Sequence, residues 1–205
     1  MRRVLVLALL ALALPMAAWA DGITLVNEYG GLNVSDAGIF SHQSELKQFC
    51  VDLSCVVAPA GRSLGSVTYN TGSLATGSLL AGGTFNAAGS SFVVTGVGKY
   101  GEPRGTIFSG AFVGPIDWTL TSPPQDKSRT YTLSGEITGM LYTGRIVSGT
   151  TSQNIFTSNG QLAQGIGHIK MGTTQLSVPE PGTLGLLGTG LVGIAGMFRR
   201  KLIGA

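Results

Sequence analysis

Ile116-Asp117-Trp118-Thr119-Leu120-Thr121 alternates apolar and polar side chains, and Tyr131, Leu133 and Ile137 alternate with Thr132, Ser134 and Glu136 further along. A strand turns successive side chains to opposite faces, so a period of two describes two half-buried strands. Outward from this pair, extended runs recur at residues 67–70, 83–87, 92–97, 106–113, 141–147, 154–157, 162–170 and 174–178, separated by Gly, Asn, Ser and Pro. Short strands at regular spacing with turn residues between them predict an all-β fold, an antiparallel sandwich or barrel. No long helical period competes. Phe85, Phe92, Phe108, Phe112, Trp118, Tyr131, Tyr142 and Phe156 are spaced as core anchors would be, which separates this chain from a glycine-rich linker.

Residues 33–55 differ in character. Ser44-Glu45-Leu46-Lys47-Gln48-Phe49 reads as a short helix with Ser44 as its cap. The segment is a lid, a plug over one barrel end or an edge covering, and the residues do not choose among them. Thr71-Gly72-Ser73-Leu74 is echoed by Thr76-Gly77-Ser78-Leu79. Two copies do not make a solenoid, and the echo reads as a Gly-Ser loop or a pair of turns.

The formal charge of +3 invites a nucleic-acid reading, but Arg2, Arg3, Arg199, Arg200 and Lys201 sit at the two ends. Residues 21–178 hold eight Lys and Arg (47, 62, 99, 104, 127, 129, 145, 170) against nine Asp and Glu (21, 28, 36, 45, 52, 102, 117, 126, 136). A near-neutral domain without a basic patch is not built for nucleic acid. Cys50 and Cys55 are the only cysteines, and a local disulfide is their expected fate in an oxidising compartment. No metal site is expected, because zinc needs about four ligands and His42 and His168 lie far apart in sequence.

Gly96-Val97-Gly98-Lys99-Tyr100-Gly101 has dinucleotide-loop spacing, yet Glu102-Pro103 follows where a helix should open. Without amides aimed at a pyrophosphate the spacing carries no cofactor, and the glycines read as turn and strand-packing positions. No nucleophile elbow, Walker loop or His-Glu-x-x-His helix appears. Asp117 and Glu136 are the candidates for a paired-carboxylate hydrolase. Both fall on the polar side of their strands, where acids are usually solvated, and no catalytic residue is assigned.

The ends carry more information. Met1-Arg2-Arg3, an apolar run to Leu14, Pro15 and then Ala18-Trp19-Ala20 form a signal peptide, residues 1–20, cut by signal peptidase after Ala20, with Ala18 and Ala20 as the small residues at the site. The apolar run is shorter than the ~20 residues a membrane span needs. At the other end stand Pro179-Glu180-Pro181, a glycine-rich apolar run over residues 183–198, and Arg199-Arg200-Lys201. The two prolines fix φ and remove amide donors, so the motif presents itself as an open extended strand. As a helix the apolar run reaches about 24 Å, somewhat short of a bilayer core of about 30 Å. Arg199, Arg200 and Lys201 snorkel across the difference and stay on the cytoplasmic side, which places residues 21–178 outside.

This order of Pro-Glu-Pro, short span and basic end resembles the PEP-CTERM sorting tail, here residues 179–205. The resemblance implies processing by an exosortase, a membrane enzyme that cuts near the motif and supplies its own nucleophile. It further implies an inner-membrane intermediate, then the cell surface or exterior, and association with exopolysaccharide. The runs around residues 64–68, 105–110 and 114–120 look like other exported β domains with such tails, which says nothing about a ligand. The expectation is therefore an exported, non-enzymatic surface protein with a structural or adhesive role and no cofactor. The alternative is a small-ligand or carbohydrate-binding β module held to the membrane by its C-terminal helix, which needs Trp118, Tyr131 and Tyr142 to face solvent.

Overall fold

The computed structural model describes residues 22–125, 128–158 and 161–178. The chain opens with a long kinked hairpin. β1 (Gly22–Glu28) continues into β2 (Gly31–Ser35), and β3 (Gly38–His42) returns into β4 (Ser44–Val51). The outgoing arm kinks at Tyr29 and Gly30, and the returning arm at Gln43, all with positive φ. Gly30 is needed there, since a Cβ would sit 2.8 Å from Ser44 Cα.

β5 (Ser54–Val57) folds back on β4, and β6 (Gly65–Asn70) follows. A hairpin of β7 (Leu74–Ser78) and β8 (Gly82–Phe85) intervenes before β9 (Ser91–Val97). Four long strands complete the wall: β10 (Arg104–Gln125), β11 (Ser128–Leu141), β12 (Ile146–Thr157) and β13 (Ile166–Ser177).

Every pairing is antiparallel, and the wall closes on itself. β13 pairs β12 on one side and, on the other, β1 from Gly22↔Ser177 to Glu28↔Met171 and β2 at Gly31↔His168. If each kinked arm counts as one strand, eight strands follow one another around the barrel in chain order, β1/β2, β3/β4, β6, β9, β10, β11, β12 and β13. Closure removes the exposed edges that an open sheet of this length would present. A bulge at Val113 to Asp117, with Gly114 at positive φ, bends β10 so that its first half pairs β9 and its second half pairs β8.

An eight-stranded barrel is just wide enough for its own side chains to fill. Inward positions carry Leu25, Val67, Tyr69, Phe92, Val94, Phe108, Phe112, Leu133, Ile137, Ile155 and Leu176, all buried in one cluster. Tyr69 stacks on Phe92, with Phe108 and Phe112 edge-on to Phe92. Outside the bulge, Trp118 stacks on Tyr131 with ring centroids 4.4 Å apart. The β7–β8 turn covers that stack, because Trp118 Nε1 donates to Leu79 O and Tyr131 Oη donates to Leu80 O, each at 2.9 Å.

The all-β expectation and its period-two core hold, but several local readings are corrected. Residues 44–49 form no helix. They are strand β4, with Ser44 and Leu46 inward, because pairing to β1 and β6 satisfies a backbone too short to nucleate a helix alone. Residues 33–55 are therefore barrel wall rather than a lid or plug. Residues 142–145 are the turn between β11 and β12, and a 3-10 turn, Gln161–Gln164, precedes β13. The second copy of the Thr-Gly-Ser-Leu echo lies largely in β7 rather than in a loop. Of the expected anchors, Tyr142 is exposed, and Phe156 is only partly buried with Lys170 over its ring.

Candidate functional site

The first and last strands of the barrel meet. Gly22 faces Ser177 across the β1–β13 seam, and Val178 packs against the core. Gly22 is also tied to the tip of the β4–β5 hairpin. Its amide donates to Asp52 Oδ1 at 3.0 Å, and the Asp52 amide donates to Gly22 O at 2.8 Å. Pro179, Glu180 and Pro181 begin directly after Val178 and lie outside the described residues, as do Ala18 and Ala20, the run 183–198, and Arg199, Arg200 and Lys201. Among the described residues no helix is long and apolar enough to cross a membrane.

Cys50 and Cys55 are disulfide-bonded. They are directly opposed in the β4–β5 register, so the bond clamps a hairpin whose tip is Asp52 and Leu53. A loop this small confers little global stability, but it holds the tip beside Gly22.

The glycine-rich loop between β9 and β10 already contains an anion. Glu102 is buried, and its two carboxylate oxygens accept the amides of Lys99 and Tyr100 at 2.9 Å each. Burial pushes the carboxyl upward, but the surrounding backbone amides outweigh it and hold the group below the usual carboxylate range. Successive amides of a tight turn make an anion-binding concavity, and here the chain fills it with its own side chain. That accounts for the Gly-x-Gly-x-x-Gly spacing without a nucleotide. The sequence signal was present in the acid placed directly after the last glycine.

Asp117 and Glu136 both face outward into one shallow groove on β10, β11 and β12, with Val113, Ser134, Thr150 and Ser152 around them. The groove continues past Thr138 and Ser148 towards Ser177. Its walls offer hydroxyls and carboxylates, which suit polyol hydrogen bonding. His42 and His168, far apart in sequence, both register with Gly31 on adjoining strands and are exposed. No group of three or more His, Cys, Asp or Glu converges among the described residues. Trp118 and Tyr131 are 1% and 0% exposed, so they form no binding platform, while Tyr142 is exposed.

A second constellation went unread in the sequence. Asn27, Ser44, Thr151, Gln153 and Thr174 are inside the barrel and buried. Asn27 Nδ2 donates to Ser44 Oγ at 2.7 Å and to Gln153 Oε1 at 2.9 Å, and Gln153 Nε2 donates to Thr151 Oγ1 at 2.9 Å. The Thr151 and Thr174 hydroxyls are bonded to each other at 2.8 Å. Gly172 makes room, since a Cβ there would collide with the Gln153 and Asn27 side-chain oxygens. The available signal was Asn27, which interrupts the inward series Ile23, Leu25 at a position where an apolar residue was due.

Residues 177–201 match the family model of the PEP-CTERM protein-sorting motif. The chain thus carries a signal that implies export and processing by an exosortase. No curated protein and no solved structure matches the chain.

Proposed function

We propose that this chain is exported through a cleaved signal peptide, held for a time in the inner membrane by its C-terminal run, and then released to the cell surface or exterior as a non-catalytic barrel with a structural or adhesive role. One observation carries the reading. The sorting-motif match begins at Ser177, the last residue of β13, so the signal starts where the barrel ends. A cut near Pro179-Glu180-Pro181 leaves all eight strands paired. Replacing these three residues by alanine is expected to leave uncut protein in the membrane fraction while the barrel's unfolding midpoint stays unchanged. Normal release of the alanine variant overturns the reading.

A second reading, a carbohydrate-binding barrel, is favoured by the hydroxyl-lined groove holding Asp117 and Glu136. This is also the surface that supports an association with exopolysaccharide. Thr150, which lines it opposite Glu136, is the residue to test. Thr150→Lys is expected to abolish retention on isolated exopolysaccharide, and unchanged retention removes the groove from the account.

A further inference from the structure

The β strands run up and down, so alternate connections lie at the same end of the barrel. The end that holds Gly22 and Ser177 also holds the β4–β5 tip, the 98–103 loop and the β11–β12 turn. These segments are contiguous around the rim. The Asp52 amide bonds Gly22, a Cβ on Gly101 would sit 3.4 Å from Val56 Cγ2, the Tyr142 amide bonds Ile107 O at 2.8 Å, and Ser148 faces Ser177.

This rim has an unusual surface. Leu53 is 96% exposed at a tip clamped by the Cys50–Cys55 bond, and Ile146 is 69% exposed beside Met140 and Tyr142. Exposed Lys99 on the 98–103 loop, Arg104 at the start of β10 and Arg145 in the β11–β12 turn lie at this same end. The rim's two described acids are Asp52, which accepts the Gly22 amide, and Glu102, which is buried inside its own loop. Asp21, next to Gly22, lies outside the described residues.

We infer that this end of the barrel is a lipid-facing surface, with Leu53, Tyr142 and Ile146 entering the headgroup region of an anionic bilayer and the rim cations resting on its phosphates. Apolar tips ringed by Lys and Arg combine the two forces that hold a peripheral surface on anionic lipid. The chain leaves this same rim at Val178, five residues before the apolar run 183–198 begins, which keeps the rim near any bilayer that the run enters. The inference rests on the part of the proposed function that places that run in a membrane, and on none of its claims about processing.

The test uses the full chain reconstituted in vesicles of phosphatidylglycerol and phosphatidylcholine that include brominated lipid. Tryptophan is introduced at the rim as Leu53→Trp or, separately, Tyr142→Trp, and at the opposite end as Phe40→Trp, each read against the unsubstituted chain. The expected result is that the rim tryptophans lose most of their emission and the Phe40→Trp chain does not. Combining Leu53→Trp with Lys99→Glu and Arg104→Glu should restore emission while the chain still floats with the vesicles. A chain that floats but shows no quenching at either rim position overturns the inference and leaves the membrane run standing. A chain that does not float overturns both.

Discussion

Across β6, β9 and β10 the barrel interior is ring against ring, Tyr69, Phe92, Phe108 and Phe112, whereas across β12, β13, β1 and β4 it is amide against hydroxyl, Asn27, Ser44, Thr151, Gln153 and Thr174. Both halves are buried, but they hold the wall in different ways. Apolar packing scales with area and tolerates exchange of one apolar side chain for another of similar volume. Hydrogen bonds between buried side chains exist only in one register, and a slip leaves them unsatisfied. The polar half straddles the seam where the first strand meets the last, joining Asn27 to Gln153 across a sequence separation of 126 residues. The apolar half supplies most of the stability, and the polar half specifies how the barrel closes.

Removing the largest buried ring is the strongest test of the apolar side. Trp118→Ala is expected to cost about 3–5 kcal/mol, read as a lowered urea midpoint, through lost burial and the cavity beneath Tyr131. A loss no larger than an exposed substitution would mean that the β7–β8 cover closes over the gap.

The polar side is tested next. Asn27→Leu should cost about 2–3 kcal/mol because Gln153 and Ser44 lose a buried partner. Adding Gln153→Met should recover much of that loss while broadening the amide spectrum, since an apolar seam no longer selects one register. If the single change is neutral, the seam is not held by these bonds.

A buried charge follows the same rule of satisfaction. Glu102→Gln is expected to cost about 1.5 kcal/mol at neutral pH, the worth of charge-assisted bonds to backbone amides. The carboxyl is held low in the folded state, so its contribution is complete above the ordinary glutamate range and is lost as pH falls through the lowered folded value. Unfolding midpoints of the parent and the variant should therefore converge in acid, and a constant gap across pH would contradict this origin.

The smallest effect has the opposite sign. Tyr69 Oη is buried without a hydrogen-bond partner among the described residues, and burial raises the pKa of its hydroxyl. Tyr69→Phe should stabilise the barrel by about 1 kcal/mol in thermal unfolding, as an orphan in the apolar half is removed.

The same contrast explains what was legible beforehand. Ile116, Trp118, Leu133 and Ile137 announced strands because apolar side chains alternate with polar ones, and their aromatic neighbours announced a core. Asn27 and Gln153 were illegible because an inward amide reads like a solvated one until its partner, far along the chain, is known. Ser44 to Phe49 misled because a bulge at Lys47, between the Val26–Gln48 and Asn27–Leu46 pairs, breaks the period of two. In the Gly96 loop, Glu102-Pro103 was legible as a departure from a helix opening, whereas the carboxylate's position inside the loop needed the fold. At the C-terminus, Pro179-Glu180-Pro181 and the basic end carry their meaning in local order alone, which is why the sorting signal was readable without coordinates.

The central claim, that the barrel is the mature product of a sorted precursor, is tested most directly by intact mass of the protein recovered from its native host with and without the exosortase. The account predicts a species beginning at Asp21 and ending near Pro179 to Pro181, replaced in the exosortase-deficient host by uncut protein in the membrane. A mature species that retains Arg199 to Ala205 in both hosts would contradict it and leave a simple membrane anchor in its place.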